Sequence, residues 1–196
     1  MTLNEPPDGG DISQTNSNAT RAAVVAAVLP HLDAAFNLAR WLTRDEHDAA
    51  DVVQQAYLRA MTAADTFRGG GGAKSWLLTI VRNTAFDRLR RDKTRRQEEL
   101  GDDLPMTPSD AEACDPQAIL LRAANAERVR AAIEELPDGI REVIVLREME
   151  ELSYKEVAAV VGVPIGTIMS RLARGRQRLQ QLLNEPGEST ERRTKV

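Results

Sequence analysis

The stretch that decides the reading of this chain is "LSYKEVAAVVGVPIGTIMSRLARGRQRL", Leu152 to Leu179. Ser153 and Glu156 stand in S-x-x-E spacing, a capping box that opens a helix by satisfying two of its free N–H groups reciprocally. Val157, Val160 and Val161 follow as an apolar inner face. Gly162 accepts the left-handed backbone that ends a helix, and Pro164 suits the first turn of the next one. On that next helix Ile165, Ile168, Leu172, Gly175 and Leu179 share a face, and Thr167, Ser170, Arg171, Arg174 and Arg178 share another. Two short helices around a tight glycine-containing turn make a helix-turn-helix. The second helix is then built to enter a major groove, where Arg grips guanine edges or phosphate and Ser and Thr do either task more weakly. The competing reading is an ordinary helical hairpin with a charged solvent face.

Working outward, the 196 residues suffice for one ordinary domain or two small ones. Aromatic content is only 4%, so the core must rest on Ala, Val, Leu and Ile, which suits helices. No stretch approaches the roughly 18 apolar residues of a membrane span. The N-terminal twenty residues carry no secretory signal and read as a disordered tail. The single cysteine, Cys114, excludes an internal disulfide and offers no zinc cluster. No P-loop, Ser/His/Asp set or metal spacing appears, so neither an enzyme nor a cofactor is expected, and His31 and His47 stand isolated. A cytoplasmic protein is the simple inference.

Net charge is −4, but its distribution is uneven. Seven basic residues lie between Arg82 and Arg96, seven acidic and no basic residues between Glu98 and Asp115, and four Arg with no acid between Arg171 and Arg178. The acidic run, residues 97–117, reads as a linker between two helical units, 21–96 and 118–184, with a polar tail over 185–196. In the first unit Pro30 marks a kink, "DEHDAADVVQQAYLRAMTAAD" reads as an amphipathic helix, and "TFRGGGGAKS" is a Gly-rich break. Ser75 is a candidate cap for the helix that resumes at "SWLLTIVRNTAFDRLRRDKTRR". A flexible basic loop beside Phe67 and Trp76 suits single-stranded nucleic acid, whose unstacked bases enter pockets, although Trp76 reads more naturally as core.

In order and spacing, "DAADVVQQAYLRA" (Asp48 to Ala60), "FRGGGGAKSWLLTIVRNTAFDRLRR" (Phe67 to Arg91) and "LPDGIREVIVLREMEELSYKEVAAVVGVPIGTIMSRLARGRQRL" (Leu136 to Leu179) resemble the bacterial RNA polymerase sigma factors of the extracytoplasmic-function group, over roughly Arg21 to Leu183. The resemblance implies an all-α fold of two small domains, sigma region 2 and sigma region 4, joined by a flexible acidic linker. It implies core RNA polymerase as partner, through the β′ clamp and β flap, with Asp51, Gln54, Gln55 and Leu58 as candidate contacts. The family commonly carries glutamate at Gln55 and tryptophan at Met61, so the polar detail of that surface departs from the pattern. The resemblance further implies promoter DNA as partner. Phe67, Arg68, Lys74 and Asn83 would form the base-capturing loop and pocket at the minus-ten element, and Arg82, Arg88, Arg90 and Arg91 would hold phosphate there. Thr167, Ser170, Arg171 and Arg174 would read the minus-thirty-five element, with Arg147, Arg176 and Arg178 on phosphate or in solvent. It implies control by an anti-sigma factor, and no membrane insertion.

Two rival readings remain at this point. A two-domain regulator of the LuxR kind has a similar C-terminal helix-turn-helix, but its first domain usually contains strands. A helical adaptor would use the same basic faces to bind acidic proteins.

Overall fold

The computed structural model describes residues 10–67, 69, 72–98 and 116–184. Among them every regular element is helical: α1 (Gly10–Val28), α2 (Leu32–Thr43), α3 (Glu46–Thr62), α4 (Ala73–Glu98), α5 (Pro116–Glu134), α6 (Asp138–Ile144), α7 (Tyr154–Val161) and α8 (Ile165–Asn184). Short 3-10 turns cover Leu29–His31, at the Pro30 kink, and Ala64–Thr66; a π-helical turn, Val145–Met149, extends α6. The helix α1 reaches back to Gly10, into the stretch expected as a tail.

The N-terminal unit is built on small residues at helical spacing. Ala34, Ala35, Leu38, Ala39 and Leu42 of α2 are buried, as are Ala49, Val52, Val53, Ala56 and Ala60 of α3. Alanine keeps helix axes close, and α2, α3 and α4 pack pairwise, with Leu77, Leu78, Val81 and Ala85 of α4 fully enclosed. The Tyr57 hydroxyl ties α3 to the end of α1 by donating to the Val28 carbonyl at 3.1 Å. Asp45 caps α3 by accepting from the Asp48 N–H at 2.8 Å. Ser75 is not a cap: α4 starts at Ala73, and the Ser75 hydroxyl donates to the Gly72 carbonyl at 3.1 Å.

One compositional expectation needs correcting. Ala19–Thr43 runs as 25 helical residues and contains an 18-residue window of mean hydropathy 1.5, enough by length and composition to cross a membrane. Its Val24, Val28, Ala35, Leu38 and Ala39 are buried in the bundle.

The C-terminal unit wraps α5, α6 and α7 around α8. Val143, Ile144, Val145 and Leu146 are fully buried. Glu151, in the connection to α7, adopts a left-handed φ of 57°. Arg141, 1% exposed, reaches back to the end of α5 and donates to the carbonyls of Ile133 (3.2 Å), Glu134 (2.8 Å) and Leu136 (2.5 Å). It thereby adds a donor to carbonyls at the helix end, of which Ile133 also accepts from the Leu136 N–H at 3.1 Å. Burial pulls its pKa down, as does the nearby Arg44 charge, against the opposing pull of Asp138.

The two units do not stand apart. The helix α7 packs on α4 and α6 on α2, and buried residues from Val24 to Leu172 form one connected core.

Candidate nucleic-acid interface

The Leu152–Leu179 stretch folds as its capping residues dictate. The Ser153 N–H donates to Glu156 Oε2 at 2.9 Å and the Glu156 N–H to Ser153 Oγ at 3.3 Å, so both halves of the capping box are present. The Ser153 hydroxyl, which donates to Glu156 Oε2 at 2.6 Å, and then the Ser153 N–H hold the Glu156 carboxyl below its usual pKa. Gly162 ends α7 at φ 75°, and the direction of the chain turns by 103° into α8. That angle is the geometry of a helix-turn-helix.

Along α8, Ile168, Leu172 and Gly175 are buried. Ile165, placed with them by spacing, is instead 44% exposed at the helix start, as is Met169 beside it at 54%. Ser170, Arg174 and Arg178 face outward; Thr167 and Arg171 are half-buried. The Ser170 hydroxyl donates to the Thr167 carbonyl at 2.9 Å. Two other basic residues serve the fold. Arg176 pairs with Glu148 at 2.6 Å, and Arg147 donates to the Leu152 carbonyl at 2.8 Å with its guanidinium 5.0 Å from the Tyr154 ring.

In the N-terminal unit, Asp51, Gln54, Gln55 and Leu58 form one exposed face of α3, Leu58 at 56%. Asp51 also pairs with Arg88 at 3.0 Å, and Arg88 bonds Asp48 as well, so Arg88 joins α3 to α4. Phe67 and Trp76 pack ring to ring at 5.0 Å, partly buried at the base of the glycine loop. Asn83 is exposed, as are Arg90 and Arg91, and Arg91 Nε donates to the Asp87 carbonyl at 3.2 Å. Arg68 lies outside the described residues.

Lys74 and Arg82 are placed differently. Lys74 Nζ lies 2.9 Å from Glu150 Oε2 and donates to the Glu150 carbonyl at 2.7 Å. Arg82 Nε donates to Glu142, with the guanidinium 4.7 Å over the Phe86 ring. The side chains of Glu142 and Glu150 are only 2% and 4% exposed. Burial pushes the Glu142 carboxyl above its usual pKa, against the pull of Arg82 and Arg171. Sequence reasoning named neither carboxylate. Their partners are 60 and 76 residues away, and no local pattern links them.

Comparisons with known proteins match the two units separately. Residues 27–95 match the family model "Sigma-70 region 2", and residues 126–179 match "Sigma-70, region 4". The ECF RNA polymerase sigma factor SigE of Mycolicibacterium smegmatis is 32% identical over 186 residues, covering 95% of this chain and 71% of that relative. The ECF RNA polymerase sigma-E factor of Escherichia coli strain K12 is 35% identical over 135 residues, 66% of this chain and 71% of the relative. Among solved structures, the sigma factor RpoE in complex with the anti-sigma factor NepR from Bartonella quintana superposes with a TM-score of 0.66 at 31% identity, covering 82% of this chain and 96% of that one. CnrH in complex with the cytosolic domain of CnrY gives 0.59 at 25% identity, over 87% and 96%.

Proposed function

The chain belongs to the extracytoplasmic-function group of sigma-70 factors, and from that premise we propose how its own residues serve promoter-specific initiation. Residues 21–96 act as region 2 and 118–184 as region 4, with 97–117 as the linker between them. The exposed α3 face of Asp51, Gln54, Gln55 and Leu58 docks on the β′ clamp of core polymerase. The helix α8 enters the major groove at the minus-thirty-five element, with Ser170 and Arg174 outermost and Thr167 and Arg171 at its edge. At the minus-ten element, Asn83 with Phe67 and the glycine loop receives an unstacked base, while Lys74, Arg82, Arg90 and Arg91 hold phosphate. Strand opening then needs no catalyst: binding the unstacked base more tightly than the paired one shifts the duplex toward the open state. The protein works in the cytoplasm beside polymerase, without enzymatic chemistry of its own. A protein inhibitor of the anti-sigma class controls it, by analogy with the NepR complex.

The observation that carries this reading is the 103° helix-turn-helix, whose second helix turns Ser170, Arg174 and Arg178 outward. The test is promoter binding by polymerase reconstituted with this chain. Arg174→Ala weakens binding by about 1–3 kcal/mol, the worth of a bidentate base contact, without loss of core polymerase. Leu58→Ala lowers affinity for core polymerase itself. Tight binding of promoter DNA by the chain alone would favour the regulator reading instead.

A further inference from the structure

Along the outward side of α8, Gly166, Met169, Ser170 and Ala173 follow one another at i, i+3, i+4 and i+7, and all four are exposed. They lie opposite the buried Ile168, Leu172 and Gly175, in the N-terminal half of the helix, the part that a recognition helix presents to base edges. This stripe carries no charge. Its one hydroxyl, on Ser170, donates to the Thr167 carbonyl at 2.9 Å, so its proton is engaged inside the helix. Its one large side chain is Met169, 54% exposed, with Ile165 one turn before it at 44%. Gly166 is not required by packing: a Cβ there would meet no atom within 4 Å, whereas at Gly175 it would press on Ile140 and Ile144. Glycine within a helix is less favourable than alanine, and close approach of another molecule to the backbone is a use that explains it.

We propose that Met169 reads the C5 methyl group of a thymine in the minus-thirty-five element, with Gly166 letting the base edge come close to the helix and Ile165 backing the contact. The thymine methyl is the apolar group that the major groove displays, and it marks an A·T pair and which strand holds the thymine. A stripe without a free donor or a charge selects that group over the hydrogen-bonding edge of a G·C pair. The unbranched methionine side chain adapts its shape to the methyl. Arg174, one turn beyond Ser170, is left to supply the polar contact. The inference rests on the placement of α8 in the major groove and adds to that reading the chemistry of one base.

The test uses core polymerase carrying the full chain and a duplex template that this complex selects from a randomised promoter library. The template is remade with deoxyuridine in place of each upstream thymine in turn; deoxyuridine pairs as thymine does and lacks only the methyl. At one position the exchange is expected to weaken wild-type binding by about fourfold, the worth of one buried methyl. Met169→Ala should bind the two templates equally, and Met169→Leu, which keeps the apolar volume, should restore the difference. Each comparison is made within one variant, so any change in the stability of the fold cancels. No thymine with a methyl effect, or an effect that Met169→Ala leaves intact, overturns the proposal. Gly166→Ala is expected to raise the thermal midpoint of the free chain and to lower template affinity; unchanged affinity overturns the close approach. Arg174→Ala on the unmodified template separates the two failures. Lost affinity without a methyl effect sinks only this inference, whereas full affinity without one, or a library that yields no template, sinks the placement of α8 beneath it.

Discussion

At Gly175, α8 packs directly on the isoleucines of α6. A Cβ there would sit 2.8 Å from Ile144 Cγ1 and 2.9 Å from Ile140 Cγ2, closer than carbon atoms pack, so either the helix or both isoleucines must move. Gly175→Ala is expected to destabilise the protein by about 1–3 kcal/mol in urea unfolding, the usual range for overpacking. A neutral result would mean that α6 and α8 pack differently. At Arg141 the argument runs through hydrogen bonds. Arg141→Ala leaves the carbonyls of Ile133, Glu134 and Leu136 without that donor, at a cost of about 3 kcal/mol, read as a lowered unfolding midpoint with α5 exchanging its amide hydrogens first. The Gly175 face was visible in the spacing of the apolar residues of α8. Arg141 was not, because its partners are carbonyls five to eight positions back, reached only once the chain has turned at Pro137.

At the scale of elements, the sequence spoke most clearly where local rules suffice. The start and stop of α7 follow from Ser153, Glu156 and Gly162, each acting on backbone within a few residues. The helix α4 was less legible: its basic, apolar and polar residues serve a core and an ion-pair cluster at once. Arg88, a phosphate ligand by the family resemblance, is found between Asp48 and Asp51 of α3, while Ser75 reads as a cap and lies inside the helix. Ser153→Ala should cost about 1 kcal/mol by removing half of the capping box. Its pH dependence follows from Glu156, whose carboxyl pKa is lowered in the folded protein by the Ser153 bonds. A lowered carboxyl pKa means that the contribution is complete above about pH 4.5, the ordinary value, and fades as pH falls through the folded one. The difference in stability between wild type and Ser153→Ala should therefore shrink between pH 6 and pH 3. A difference that grows on acidification would contradict the cap.

At the scale of the molecule, two units with separate surface chemistry share one connected core. The sequence announced the units and their order, since each carries its own motif. It did not announce that they close on each other through Glu142–Arg82 and Glu150–Lys74, because contacts between residues so far apart leave no periodicity to read. That closure puts α7 against the helix assigned to promoter opening. The central claim is that these units act together, within polymerase, on two promoter elements. The most direct measurement is transcription in vitro from a randomised promoter library by purified core polymerase, with and without this chain. The account predicts transcripts that appear only with the chain, from templates sharing two short motifs at a fixed separation, and that disappear with Arg174→Ala. Transcripts independent of the chain, or none from any template despite stable association with core polymerase, would contradict it.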